Sequence, residues 1–286
     1  MPLYKPSELF DFLNERGIQP KKGLSQNFLI DGNILRKMVE SANVQENETI
    51  IEIGPGPGAL TEALLAAGAR VIAIEKDEAL GRDLERLQNG KLDILIDDFR
   101  NIRFSRLIKS GEKAKVIANI PYSLTGVILQ ELLPKHEKIT TIHLMVQKEV
   151  AERCTASPNT KDYSSFTLFT HYHAIPKYLF TVSKNCFYPK PKVDSAVLQL
   201  TLIPPPVEVP YAPFFAMVKE AFQMRRKMLR ASLKKYASPE KIEATLQLIG
   251  KNKTARPQEL SLADFSSFWH FLHPDEEVNG QKNPDN

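Results

Sequence analysis

The sequence predicts an α/β protein in which a mostly parallel sheet is covered by helices on both faces and followed by a small helical domain. Three observations predict it. Short Ile- and Val-rich runs recur from residue 49 and alternate with segments of helical periodicity, the pattern of parallel strands joined by crossover helices. That pattern stops near residue 204, where Pro204-Pro205-Pro206 and then Pro210 and Pro213 cannot continue a central strand. A chain of 286 residues, 42% hydrophobic and 25% charged, can bury one sizeable core and a small second domain, and is too apolar for a disordered polymer.

Taken in order, Ser7 can cap a short helix over Glu8–Arg16 that stops at Gly17. Lys21-Lys22-Gly23 begins a loop. Thr49–Ile53 (TIIEI) reads as a strand, followed by a glycine turn and a helix over Ala59–Ala67 ended by Gly68. Val71–Glu75 is the next strand and Asp77–Leu87 the next helix. Leu92–Ile96, Val116–Ala118 and Ile142–Val146 read as further strands. After the prolines, Phe214–Tyr236, Pro239–Ile249 and Ser261–Leu272 read as helices. The expected division is therefore an extension over 1–20, a catalytic domain over 21–203, a helical domain over 204–273 and a frayed polar tail over 274–286.

Composition excludes several classes. No stretch approaches the ~20 uncharged apolar residues of a membrane span. The N-terminus has early acids and no apolar signal core, so a cytoplasmic setting is expected. Two cysteines, Cys154 and Cys186, are too few for a disulfide framework or a tetrathiolate zinc site. His171-Tyr172-His173 has no acid or thiol at ligand spacing, so no metal is expected. The net charge of +4 permits a polyanionic partner without demanding one. Nothing in the sequence suggests an obligate dimer, so a monomer is expected.

Two motifs carry chemistry. Gly54-Pro55-Gly56-Pro57-Gly58 closes a strand and opens a helix, and Glu75 ends the next strand at the position expected to hydrogen-bond ribose hydroxyls. Together they indicate an adenosine-type cofactor. The segment Gly54-x-Gly56-x-x-Ala59 formally satisfies the dinucleotide fingerprint. However, Pro55 and Pro57 remove two N–H donors from the loop that would cradle a pyrophosphate, which favours a phosphate-free cofactor such as S-adenosylmethionine. Asp98, after the third strand, can accept from an adenine amino group, with Phe99 against the ring. Which of Asp97 and Asp98 points inward stays open.

The second motif, Asn119-Ile120-Pro121-Tyr122, ends the fourth strand and has the Asn/Asp-x-Pro-aromatic form of amino-group methyltransferases. The exocyclic nitrogen of adenine is a poor nucleophile because its lone pair is delocalised into the ring. An Asn oxygen and a backbone carbonyl that accept from it favour a pyramidal nitrogen. Pro121 fixes the loop, and Tyr122 offers a flat surface for the base.

With Lys22-Gly23-Leu24-Ser25-Gln26-Asn27-Phe28-Leu29 and Phe187-Tyr188-Pro189-Lys190-Pro191-Lys192-Val193-Asp194-Ser195-Ala196, these motifs make the chain resemble the ribosomal RNA adenine dimethyltransferases over roughly residues 20 to 260, with the small-subunit branch nearest. The resemblance implies a class I S-adenosylmethionine-dependent methyltransferase fold, a seven-stranded sheet whose last strand is antiparallel. It implies Asn27 and Leu29 closing over the cofactor, Gly54 and Gly56 at the cofactor loop, Glu75 at the ribose and Asp98 at the adenine. Asn119 would touch cofactor and target, and Tyr122 with Phe187 would sandwich a flipped adenine. The implied reaction is N6,N6-dimethylation of two adjacent adenosines in the hairpin loop near the 3′ end of 16S rRNA, in the immature 30S subunit.

Arg225, Arg226, Lys227, Arg230, Lys234 and Lys235 are expected on the helix beginning near Phe214, with Phe222, Leu229 and Leu233 as its apolar stripe. Such a face can bind RNA phosphates without reading sequence. The rival readings are a large-subunit rRNA adenine methyltransferase of the resistance type, a nicotinamide-dependent oxidoreductase, and an assembly factor whose methylation is incidental.

Overall fold

In the computed structural model of the chain, residues 3–274 are described, apart from 25 and 110. Nine strands form in chain order: β1 (Phe28–Leu29), β2 (Thr49–Ile53), β3 (Arg70–Glu75), β4 (Leu92–Ile96), β5 (Ala114–Asn119), β6 (Ile139–Gln147), β7 (Ala174–Val182), β8 (Phe187–Tyr188) and β9 (Ser195–Leu202). Seven of them make one sheet in the order β4-β3-β2-β5-β6-β9-β7. The β2–β3, β3–β4, β2–β5 and β5–β6 pairs are parallel, and β6–β9 is antiparallel. The central strands are buried on both faces, with Ile50, Ile51, Val71, Ala73, Val116 and Ile117 inaccessible to solvent, which is why they read as unbroken apolar runs rather than alternating ones.

The order in which strands are added reverses between β2 and β5, so β3 and β4 lie on one side of β2 and β5 and β6 on the other. The parallel registers place Gly54, Glu75, Asp97 and Asn119 along one carboxyl edge of the sheet. A crevice at such a switch point is where open α/β sheets bind ligands. A separate ribbon pairs β1 with β8, Phe28 opposite Tyr188 and Leu29 opposite Phe187.

Several expectations are corrected. The first helix spans Pro6–Glu15, capped by Lys5 with Pro6 in its first turn, because proline at that position costs no hydrogen bond; Ser7 lies inside it. The helix of the extension is packed: Leu9, Phe12 and Leu13 are buried with Phe28 and Leu80. The helix expected over Asp77–Leu87 is an α-helix over Glu78–Asp83, capped by Asp77, and a 3-10 turn over Leu84–Leu87. The single helix expected over Phe214–Tyr236 is two, Tyr211–Gln223 and Leu229–Ser232, with a turn between them.

The chain divides into two compact units. One holds the chain up to Ala151 and Lys177–Leu202; the other holds Glu152–Pro176 and the chain from Ile203 onward. Residues 152–176 therefore group with the helical unit, although β7 begins at Ala174, so the division differs from the single boundary expected at 203/204. The reason is packing: Tyr163, Leu168 and Tyr172 are buried with Phe214, Phe265, Phe268 and Trp269 in one core. The expected tail beyond Pro274 lies outside the described residues. No helix among the described residues is long and apolar enough to cross a membrane.

Candidate active site

The crevice at the carboxyl edge is lined by the residues predicted for the cofactor: Asn27, Leu29, Gly54, Gly56, Glu75, Asp98 and Asn119. The glycine loop is built backward from its ligand-facing turns. Gly54, Gly56 and Gly58 have φ of +68°, +58° and +88°, which only glycine adopts without strain. A Cβ on Gly56 would lie 3.2 Å from the Phe28 ring, and one on Gly58 2.7 Å from Leu84.

The loop has no N–H to offer a phosphate. Gly54 N–H donates to Ile74 O (2.9 Å) and Gly58 N–H to Pro55 O (3.0 Å). Gly56 N–H donates to Glu75 Oε2 (2.9 Å), and Pro55 and Pro57 have none. The ionisable lining is Glu52, Glu75, Asp97 and Asp98 against one base, Lys76. A pyrophosphate would find no donor in the glycine loop and acids around it, whereas a cationic adenosyl cofactor meets complementary charge. This argues against the dinucleotide reading on geometry.

Glu75 also accepts from Asp77 N–H (2.8 Å) through Oε1. The Lys76 N–H also bears on the carboxylate, which keeps acceptor capacity for a ribose hydroxyl. Burial pushes its pKa up, against the hydrogen bonds from Asp77 and Gly56. Asp98 is held far below the ordinary carboxylate range by the Arg100 guanidinium, against burial, with Lys76 adding to it; Lys76 Nζ lies 2.9 Å from Asp98 Oδ2. The Lys76 and Arg100 contacts were not anticipated from sequence, where a loop lysine and arginine carry no signal. The Asn27 loop is anchored from below: Lys21 pairs with Asp77 (2.8 Å) and Gln26 donates to Asp77 (3.2 Å).

Glu52 lies under the loop, fully buried, and accepts from Thr61 Oγ1 (2.7 Å). Burial pushes its carboxyl up to about 8, against the Thr61 hydrogen bond and with the Glu75 charge adding to the rise. The folded pKa exceeds the ordinary 4.5, so its contribution to stability is fully present below that value and is lost as pH rises through about 8. Glu52→Gln is expected to flatten the decline in thermal midpoint between pH 6 and 9 and to stabilise the apo-protein at pH 9 by on the order of a few kcal/mol. Melting curves at both pH values check this; an unchanged pH dependence would refute it.

Asn119 sits at the tip of β5. Its Nδ2 donates to the Asn27 carbonyl (3.2 Å). A carbonyl only accepts, so the amide must turn its nitrogen that way and keep Oδ1 for another donor. Pro121 approaches the glycine loop, 3.6 Å from where a Cβ on Gly54 would stand. Tyr122 is half-buried, and its hydroxyl is hydrogen-bonded to Ser195, the first residue of β9. That bond anchors the hydroxyl end of the ring.

Phe187, expected opposite Tyr122, faces inward in this structure. Paired with Leu29, it is 3% exposed and packed into the sheet core. Its neighbour Tyr188 lines the recess that adjoins Tyr122. Successive strand residues face opposite ways, and pairing with β1 sets which one faces out.

In the helical unit, the basic residues divide. Arg225 donates to Thr160 O (2.7 Å) and also reaches the Lys161 carbonyl. Arg230 pairs with Glu243, and Lys235 with Glu220. Arg226, Lys227 and Lys234 are exposed. These ion pairs leave no local signal in the sequence because Glu220 and Glu243 lie in other helices. His171 contacts the Cys154 carbonyl and His173 the Tyr211 hydroxyl, so the two imidazoles have separate structural partners. No group of three or more His, Cys, Asp or Glu among the described residues could hold a metal ion.

A seven-stranded sheet with an antiparallel β6–β9 pair, carrying a phosphate-free adenosyl site at its switch point, defines a class I S-adenosylmethionine-dependent methyltransferase. More narrowly, the chain belongs to the ribosomal RNA adenine dimethylase family, whose model matches residues 17–272. It is 51% identical over 282 residues to the ribosomal RNA small subunit methyltransferase A of Protochlamydia amoebophila, covering 96% of this chain and 99% of that one. It is 43% identical to the protein of the same name from Chlamydia abortus, covering 93% and 97%. Among solved structures it resembles a dimethyladenosine transferase from Plasmodium falciparum, with a TM-score of 0.69 at 22% identity over 84% of this chain and 95% of that one. It also resembles the 23S rRNA methyltransferase ErmE, with a TM-score of 0.68 at 25% identity over 86% and 99%.

Proposed function

We propose that this methyltransferase dimethylates the N6 atoms of two adjacent adenosines in the hairpin loop near the 3′ end of 16S rRNA, acting on the immature small subunit as a monomer in the cytoplasm. The observation that carries this reading is the Asn119 amide, committed through Nδ2 to Asn27 and left with Oδ1 as an acceptor beside Tyr122. The Pro121 carbonyl is used by Leu124 N–H (2.9 Å), so the main-chain acceptor of the turn is the Ile120 carbonyl. Two acceptors on one amino group draw its hydrogens out of the ring plane and free the nitrogen lone pair. Tyr122, held by Ser195, takes one face of the base.

S-Adenosylmethionine supplies a methyl group on a positively charged sulfur, with a good leaving group built in. Glu75 receives the ribose hydroxyls, Asp98 the adenine amino group, and Gly54 leaves room for the methionine end. Asn27 and Leu29 cover the site and exclude water. Rate then comes mainly from alignment and desolvation. The small-subunit target is favoured over the large-subunit one by the 51% identity to the Protochlamydia protein, against 25% to ErmE.

Radiolabelled S-adenosylmethionine, incubated with immature 30S particles lacking the modification and separately with 50S particles, tests the target. The expected result is label in the 30S rRNA alone. Label in the 50S rRNA, or in neither, would overturn it.

Arg226, Lys227 and Lys234, exposed in the helical unit, are assigned to RNA phosphates. Reversing all three to Glu is expected to weaken RNA binding ~10²-fold or more at 50–100 mM salt and to lower the salt slope by roughly two to three, with cofactor affinity unchanged. Filter binding across a salt series checks this; equal slopes for both proteins would refute it.

A further inference from the structure

Beside the cofactor crevice lies a second recess of about 810 Å³, larger than one base needs. It shares Gln26, Asn27, Tyr122 and Ser123 with the crevice, so the two are continuous. Its far wall is the helix Pro6–Glu15, which presents Phe10, together with Tyr188 at the end of β8 and Lys190 and Lys192 just after it. Phe10 is 38% exposed, although its helix buries Leu9, Phe12 and Leu13 normally. Its ring stands edge-on to Tyr188, centroids 4.6 Å apart. Among the described residues, Lys190 and Lys192 are the only charged ones in the lining, and both are exposed; the other polar side chains are amides, Ser123 and the hydroxyls of Tyr122 and Tyr188.

An exposed aromatic ring, amide side chains and two lysines without an acid among them suit a single-stranded nucleotide: a base for the ring, edges for the amides, a phosphate for the lysines. We propose that this recess is a second nucleotide subsite, which holds the nucleoside next to the adenosine being methylated, its base against Phe10 and Tyr188 and its phosphate at Lys190 and Lys192. The inference rests on the RNA adenine reading above. It gives the N-terminal extension a role: the helix carries one wall of the substrate site. It also gives a reason for the recess to exceed one base, because an enzyme that modifies neighbouring adenosines must place the second while it works on the first.

The test compares AMP with the dinucleotide ApA as ligands of the full-length protein in the presence of S-adenosylhomocysteine. The wild type is expected to bind ApA about tenfold or more tightly than AMP, the gain of one stacked base. Phe10→Ala and the double variant Lys190→Glu/Lys192→Glu are expected to bring that ratio close to one, and Phe10→Trp to keep it. The lysines are exposed, so the double variant reports on binding without endangering the fold. On unmethylated 30S particles the Phe10→Ala and double-lysine variants should lose about tenfold in kcat/KM, with S-adenosylmethionine affinity unchanged. Equal binding of AMP and ApA by a wild-type protein that does methylate 30S rRNA would overturn the subsite alone. So would a ratio unmoved in both variants. A wild type that methylates no RNA would overturn the reading on which the subsite rests.

Discussion

Alanine at position 119 is expected to cut methyl transfer by roughly 10²–10³-fold, the usual cost of removing one preorganised polar group from a reaction centre. The loss should fall on kcat, because the acceptor matters most when the nitrogen pyramidalises. The substitution removes two functions at once: the acceptor Oδ1, and the Nδ2 bond to the Asn27 carbonyl that ties the covering loop to β5. Aspartate separates them. Asn119→Asp keeps an acceptor but cannot donate to Asn27, so it should retain more turnover than alanine while weakening cofactor binding. Single-turnover rates and cofactor titrations on both variants check this. Alanine behaving like the wild type would remove Asn119 from the mechanism.

Glu75→Ala is expected to weaken cofactor binding by about 10²-fold or more and to lower stability as well. Its carboxylate accepts from the ligand-facing loop at Gly56 and from Asp77. Removing it leaves two buried N–H groups without acceptors, each costing about 1–3 kcal/mol. Glu75→Gln keeps one acceptor oxygen and should fall between alanine and the wild type in both measurements. Calorimetric titration with S-adenosylmethionine and thermal melts supply them. A variant with normal affinity and a normal midpoint would show that Glu75 neither holds the ribose nor the loop.

Much of the crevice was legible in the sequence because its parts are local. The strands Thr49–Ile53 and Leu92–Ile96 lie where their apolar runs end, and the glycines, Glu75 and Asn119 sit at strand tips where a parallel sheet must present them. Pro55 and Pro57 marked a loop poor in donors; that its remaining N–H groups are also committed depends on Ile74 and Glu75 from the neighbouring strand and could only be seen in the fold. That Tyr188 and not Phe187 lines the recess has the same origin. A two-residue strand has no periodicity to read, and its facing is set by pairing with Phe28–Leu29, some 160 positions earlier. The break after Gln223 carries no proline or glycine to announce it. The basic residues beyond it therefore read as one helical face, when three of them are held by carbonyls or acids from other segments.

The central claim is that Asn119 and the turn beside it act on an exocyclic amino group. The most direct measurement is the identity of the methylated atom. 16S rRNA from 30S particles treated with the protein and S-adenosylmethionine would be digested to nucleosides and separated by mass spectrometry against standards. The account predicts N6,N6-dimethyladenosine, formed through N6-methyladenosine and lost with Asn119→Ala. Methylation at a ring nitrogen, at a carbon or on the ribose would contradict it, since none of those positions presents an amino group to the Asn119 oxygen.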